Sequence, residues 1–290
     1  MLRKKSETND LFHELLKSGQ LSMVGRGLLS RSGEFLAIMR RIEGSFRSSA
    51  LRRGAIEEEY PAMISVKDLS ELGFFSSFPE LTNVVLHVDR NKLPLQIRRN
   101  AIDRESLDPH DADLCLTPAV CYHTYVKLKG STLPQTPVLY ITKGRVFRYE
   151  GKRLTNSPER LREFSMQEAV FFGNREYVRD TRKSLMRTVQ SLARSLGIEA
   201  EIVEANDPFF TSDDNHGKMM IQKLLQTKLE LVVPLEKGRK LAIASFNDHG
   251  TFFTERMDIG DGLTSGCVAL GLERFAYAYF LQHGTGKKRK

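Results

Sequence analysis

The sequence predicts an α+β fold in which helices pack against a mixed, mainly antiparallel sheet. Three observations carry that expectation. Strand-like runs dominate from residue 137 onward, one pair of them reads as a hairpin, and a long amphipathic helix at 175–196 interrupts the series. Taken in order, residues 8–18 and 34–48 put Leu11, Phe12, Leu15 and Leu16, then Phe35, Ile38, Met39, Ile42 and Phe46, at helical spacing. A short helix over 64–73 stops at Gly73, 84–88 reads as a strand, and 118–128 fits helix or strand. The β-rich run at 138–141 and a second at 145–150 read as two strands separated by a turn at Lys143-Gly144. Residues 151–163, polar and containing Pro158, form a loop, and 164–172 is the returning strand. The helix at 175–196 aligns Tyr177, Thr181, Leu185, Val189 and Leu192 on one side, with Gly197 as its stop. Further strands are expected over 198–204, 227–234 and 240–246, and a terminal helix over 268–282.

A chain of 290 residues can bury a full core. No apolar run is long enough to cross a bilayer, and the start, MLRKKSETNDLFHELL, has basic residues without the apolar segment of a signal peptide. Three cysteines (Cys115, Cys121 and Cys267) make no disulfide framework, so a cytoplasmic setting is expected. The net charge of +8 points to acidic partners such as nucleic acid, nucleotide or an acidic protein, although surplus Lys and Arg also serve solubility. Nothing marks a linker or repeat. We expect one domain over 1–290, with 1–80 a helical or mixed extension and 280–290 a basic tail.

Chemistry concentrates in two stretches. In Val146-Phe147-Arg148-Tyr149-Glu150 the period of a strand puts Arg148 and Glu150 on one face. Phe164, Met166 and Glu168 share a face of the next strand, so a hairpin lets Arg148, Glu150, Phe164 and Glu168 line one cavity. The same pattern also fits an Arg–Glu pair on a solvated sheet face. The second stretch, SFNDHGTFFTERMDIGDGLTSGCVALGLERF (245–275), ends in a Gly-rich run and Glu273-Arg274. Two separated Arg positions suit a polyphosphate gripped from both sides.

FRYE resembles the F-R-x-E of motif 2 of class II aminoacyl-tRNA synthetases, and SGCVALGLERF resembles their motif 3. TPAVCYHTY, ERLREFSMQEAVFFG, ANDPFF, ASFNDH and SGCVALGLERF, in that order, together with SSFPEL near motif 1, are similar to the amino acid:[carrier protein] ligases. Those are short homologues of an atypical zinc-containing seryl-tRNA synthetase. The resemblance runs from about residue 25 to 284 and implies a class II synthetase-like antiparallel sheet flanked by helices. It implies that Arg148 holds the α-phosphate and substrate carboxylate, Glu150 reads the adenine amino group, Phe164 stacks on adenine, and Arg274 holds the outer phosphates. Arg160 and Leu161 match the loop pair that covers ATP, and Glu230 the acidic residue that holds Mg²⁺. Ala244, Ser245, Phe246 and Asn247 match the segment lining the amino-acid pocket. The family's zinc ligands fall on Cys121, Glu168 and Cys267, leaving Zn²⁺ a fourth position for the substrate amine. No local spacing proposes that set. Cys115 reads as a small buried hydrophobe, His123 as packing or a polar pocket wall, and His249 as pocket-lining.

Two departures stand out: Thr211, after Asn206-Asp207-Pro208-Phe209-Phe210, replaces a usual Gly, and Phe252-Phe253 replaces Phe-Gly. They leave the amino acid open. A P-loop, a G-x-S-x-G elbow and an H-E-x-x-H zinc motif are absent, and Gly25-Arg26-Gly27 lacks the strand and third glycine of a dinucleotide fingerprint. The resemblance implies an enzyme, a homodimer as in that family, that activates a small amino acid, glycine or alanine, with ATP and Mg²⁺. It would then load the phosphopantetheine thiol of an acidic carrier protein. The alternatives are transfer to tRNA, against which stands the lack of a heptad-patterned arm or anticodon-type domain, and a non-catalytic RNA-binding or regulatory paralogue.

Overall fold

The computed structural model describes residues 8–108, 110, 112–133, 137–155, 157–205 and 227–285. Residues 206–211, which carry NDPFF and Thr211, and the basic tail from 286 lie outside them. From the N-terminus, the two helical patterns fold as α1 (Thr8–Lys17) and, beyond a hairpin of β1 (Leu21–Gly25) and β2 (Leu28–Arg31), α2 (Gly33–Leu51). The hairpin corrects the sequence expectation, because Gly25-Arg26-Gly27 does follow a strand. It is a turn, with Gly27 at φ +73°.

β3 (Ile56–Glu58), β4 (Met63–Ser65) and α3 (Val66–Glu71) follow. Ser65 caps α3 by accepting from the Asp68 N–H, and Gly73 at φ +76° ends the turn. The strand expected over 84–88 is split into β5 (Val84–Val85) and β6 (His87–Val88). After α4 (Leu93–Arg99), β7 (Leu107–Asp108) and β8 (Leu114–Leu116), the ambiguous 118–128 segment folds as helix α5 (Cys121–Leu128). β4, β8 and β5 make a small antiparallel sheet.

The remaining elements are β9 (Val138–Phe147), β10 (Glu163–Gly173), α6 (Arg175–Ser195), β11 (Glu201–Glu204), β12 (Lys228–Pro234), β13 (Lys240–Gly250), α7 (Phe252–Arg256), β14 (Thr264–Gly271) and α8 (Leu272–His283). They build a seven-stranded sheet in the order β11-β12-β13-β14-β10-β9-β3. Every pairing in it is antiparallel except β3 with β9.

Three expectations are corrected. No turn breaks β9 at Lys143-Gly144; Gly144 sits in mid-strand opposite Met166, where a β-carbon would touch Val120 at 3.5 Å. The strand instead ends at Phe147, so Arg148 and Glu150 leave the sheet, and Glu150 opens a short helical turn with an αR backbone. The helix expected from 268 starts at Leu272, because Val268-Ala269-Leu270 belong to a central strand buried on both faces. Gly266 in that strand is required for space: a β-carbon would lie 2.5 Å from the Phe171 ring and 2.7 Å from the Asn247 carbonyl.

Alternation along the strands separates two interiors. Phe171, Phe246, Val268 and Leu270 join residues of α1, α2, α6 and α8 in the larger core. Tyr140, Val170, Phe172 and Cys267 face the other way, against α3, α5 and the small sheet. Residues 8–58 are therefore built into the domain: α2 packs in the main core and β3 is a strand of the main sheet. Among the described residues no helix is long and apolar enough to cross a membrane.

Candidate active site

Strand register assembles the site. Across β12, β13, β14, β10 and β9, the residues Glu230, Ser245, Ala269, Glu168 and Thr142 fall in one row on the sheet face opposite the main core. The next row is Lys228, Asn247, Cys267, Val170 and Tyr140. Glu168 and Cys267 are thus diagonal neighbours although far apart in the chain. The first residue of α5 brings Cys121 to them, and its N–H donates to Glu168 Oε2 at 2.6 Å. The two Sγ atoms and a carboxylate oxygen lie within 4.8 Å of one another, all buried.

Around this cluster, Asn247 Nδ2 donates to Cys267 Sγ at 3.2 Å, and His249 Nε2 lies 3.8 Å from the same sulfur. His249 Nδ1 shares a 2.8 Å hydrogen bond with Tyr125 Oη, which donates to Ser265 Oγ at 3.1 Å. Burial first, then the charge of Cys267, pushes the Glu168 carboxyl up to about 8. Cys267 is held well below the usual thiol range, chiefly by the hydrogen bond from Cys121, whose own thiol is pushed up. Three acidic groups in one dry corner cannot all ionise without a cation beside them. Two sulfurs and a carboxylate are a donor set that would suit Zn²⁺, and all three line a cavity, so they would leave room for a further ligand.

That cavity has a volume of about 1230 Å³. Two arginines line it as well. Arg148 donates through Nε to the Pro118 carbonyl (3.0 Å) and lies over the Phe164 ring at 5.4 Å. Arg274, at the start of α8, donates through Nε to the Glu159 carbonyl at 2.8 Å. Burial and the neighbouring Arg160 and Arg148 lower its guanidinium to about 10. Arg148 and Arg274, close enough for the one to disfavour the other's charge, both line the cavity and offer a cradle for an anion.

The family model for the class II core domain of the G, H, P, S and T tRNA synthetases matches residues 103–283. Two relatives from Bradyrhizobium diazoefficiens, amino acid–[acyl-carrier-protein] ligases 1 and 2, are 32% and 34% identical. The first alignment covers 91% of this chain and 82% of the relative, the second 78% and 69%. The chain belongs to the amino acid–[acyl-carrier-protein] ligase family. Its fold also matches the M. kandleri SerRS, solved in complex with A. aeolicus tRNASec, with a TM-score of 0.82 at 20% identity, over 98% of this chain and 58% of that one.

In this ligase, Arg148, Phe164, Glu168, Cys121, Cys267, Glu230, Ala244, Ser245, Asn247 and Arg274 all line the one cavity. Phe246 does not: out of phase with Ser245 and Asn247, it is fully buried in the main core. Glu150 and Leu161 border a narrow adjoining space shared with Arg148, Phe164 and Arg274. Arg160 lines neither space and pairs with the buried Glu150 at 2.8 Å. Glu230 is 3.5 Å from Lys228 Nζ. His249 lines the cavity, while His123 is buried, bonded to Thr117 Oγ1 at 2.8 Å and stacked on Tyr60. Cys115 is buried in β8, as expected of a small hydrophobe.

Sequence reasoning missed Arg31. It reaches from β2 to Glu273, the neighbour of Arg274, at 2.9 Å, and donates to the Glu163 carbonyl at 3.3 Å. Glu273 also accepts from the Ser165 N–H and hydroxyl, at 2.8 and 3.1 Å. No spacing around Arg31 announces this contact, and the residue lies outside the matched core region.

Proposed function

We propose that this aminoacyl-adenylate-forming ligase activates glycine or alanine with ATP and passes it to the phosphopantetheine thiol of an acidic carrier protein. One observation carries the reading: a single cavity holds both an arginine cradle and a buried thiol–carboxyl–thiol cluster. The amino-acid carboxylate oxygen attacks the α-phosphorus of ATP, pyrophosphate leaves, and a mixed anhydride forms. The arm's thiolate then attacks the carbonyl carbon, forming the thioester and expelling AMP, so no protein nucleophile is required.

Arg148 would hold the α-phosphate with the carboxylate, and Arg274 the outer phosphates. Positioning and charge neutralisation are the main needs of phosphoryl chemistry, and fixed guanidinium forks supply both. Phe164 and Glu150 would bind adenine, with Arg160 and Leu161 over the nucleotide. Glu230 offers a hard oxygen for Mg²⁺. Cys121, Glu168 and Cys267 would hold Zn²⁺, which supplies a Lewis acid for fixing the substrate's α-amino group. We take the working form to be a cytoplasmic homodimer.

Incubation with glycine or alanine, ATP, Mg²⁺ and a holo carrier protein should raise the carrier's intact mass by one aminoacyl residue. Hydroxylamine should remove it, as expected of a thioester. An unchanged carrier mass, or charging of bulk tRNA in its place, contradicts the reading.

A further inference from the structure

The cavity wall beside the thiol–carboxyl cluster is aromatic. Phe253, in the first turn of α7, packs its ring against Tyr125 (centroids 4.6 Å), His249 (4.9 Å) and Tyr122 (6.0 Å). One of these reaches the cluster: His249 Nε2 is 3.8 Å from Cys267 Sγ, and the Tyr125 hydroxyl holds the other nitrogen of that ring at 2.8 Å. Phe253, Tyr122 and His249 line the same cavity as Cys121 and Cys267.

The wall has little room to yield. Tyr125 is fully buried and backed edge-on by Phe172 at 5.3 Å. Next to Phe253, the Phe252 ring stands edge-on at 4.9 Å, lines the same cavity and is covered by the Arg256 guanidinium at 3.8 Å. Stiff, interlocked rings resist displacement, and forcing extra methyl groups into such packing is unfavourable.

We propose that Phe253 is the residue that limits the size of the amino-acid side chain this ligase accepts, admitting glycine and alanine and turning away branched or longer aliphatic amino acids. The proposal rests on the reading that the cluster marks where the substrate amine sits. With the amine fixed there, the α-carbon lies next to this wall, and a valine or leucine side chain would have to push a packed ring aside.

The test is amino-acid-dependent exchange of labelled pyrophosphate into ATP by the zinc-loaded protein, across glycine, alanine, valine and leucine. It is paired with calorimetric binding of the glycyl and valyl sulfamoyl-adenosine analogues. Wild type should rank glycine and alanine far above valine and leucine. In Phe253→Ala, the ratio of valine- to glycine-dependent kcat/KM, and the matching ratio of affinities, should rise about 10-fold or more, the scale of discrimination a hydrophobic pocket achieves per methylene. Phe253→Leu, which keeps most of the buried volume, should fall between, and it carries the test if the alanine variant does not fold.

Wild-type exchange with valine equal to that with glycine overturns the proposal, and so does a folded variant that keeps the wild-type ranking in both measurements. Exchange with none of the four amino acids is a different failure: it contradicts amino-acid activation itself.

Discussion

At the scale of single residues, the site depends on groups that are costly to bury alone. Cys121, Glu168 and Cys267 are acidic, close and enclosed. Their arrangement predicts that purified wild-type protein carries about one zinc per chain by elemental mass spectrometry, and that Cys267→Ser loses most of it. Equal zinc in both proteins would count against the cluster as the metal's place. Arg148 and Arg274 make a second prediction. Replacing either with alanine should lower kcat/KM for pyrophosphate exchange by about 100-fold or more, the typical cost of losing one preorganised charge-stabilising group. Arg274→Lys should recover little of the loss, since an ammonium cannot both bond the Glu159 carbonyl as this guanidinium does and offer the further planar donors that the proposed phosphate role needs.

At the scale of elements, the β1–β2 hairpin braces the segment before β10 and the start of α8 from outside the matched core. The Gly27 carbonyl accepts from the Arg162 N–H at 3.0 Å, and a β-carbon at Gly27 would strike Leu154 at 2.6 Å. One strand further on, Arg31 secures Glu273. Arg31→Ala leaves a buried carboxylate without its nearest cation and should cost about 3 kcal/mol in chemical denaturation. Because Glu273 precedes Arg274, the KM for ATP should rise more than the KM for the amino acid, and Arg31→Lys should recover part of both losses. A fall in stability with equal KM changes would make the contact purely structural. The hairpin was illegible in the sequence because its residues show no clear alternation. By contrast, the α6 pattern reads cleanly, since that helix has one face toward a core. The strand Thr264–Gly271 resembles helix over its last residues in sequence, because a run buried on both faces has no period to distinguish the two.

At the scale of the molecule, the triad of Cys121, Glu168 and Cys267 became legible only through family resemblance. Its members are joined by sheet register and a helix start, not by sequence spacing. The resemblance offers Ser245, Phe246 and Asn247 alike, whereas the period of the strand puts Ser245 and Asn247 on the cavity face and turns Phe246 into the core. The homodimer reading predicts a light-scattering mass twice that of the chain at micromolar concentration, and a mass of one chain would contradict it. The most direct test of the whole arrangement is a crystal structure with a glycyl sulfamoyl-adenosine analogue, with data collected at the zinc absorption edge. The anomalous peak should lie among the side chains of Cys121, Glu168 and Cys267, touching the glycyl amine, with the sulfamoyl group beside Arg148. A peak elsewhere, or an analogue bound away from both Arg148 and that triad, would contradict the arrangement.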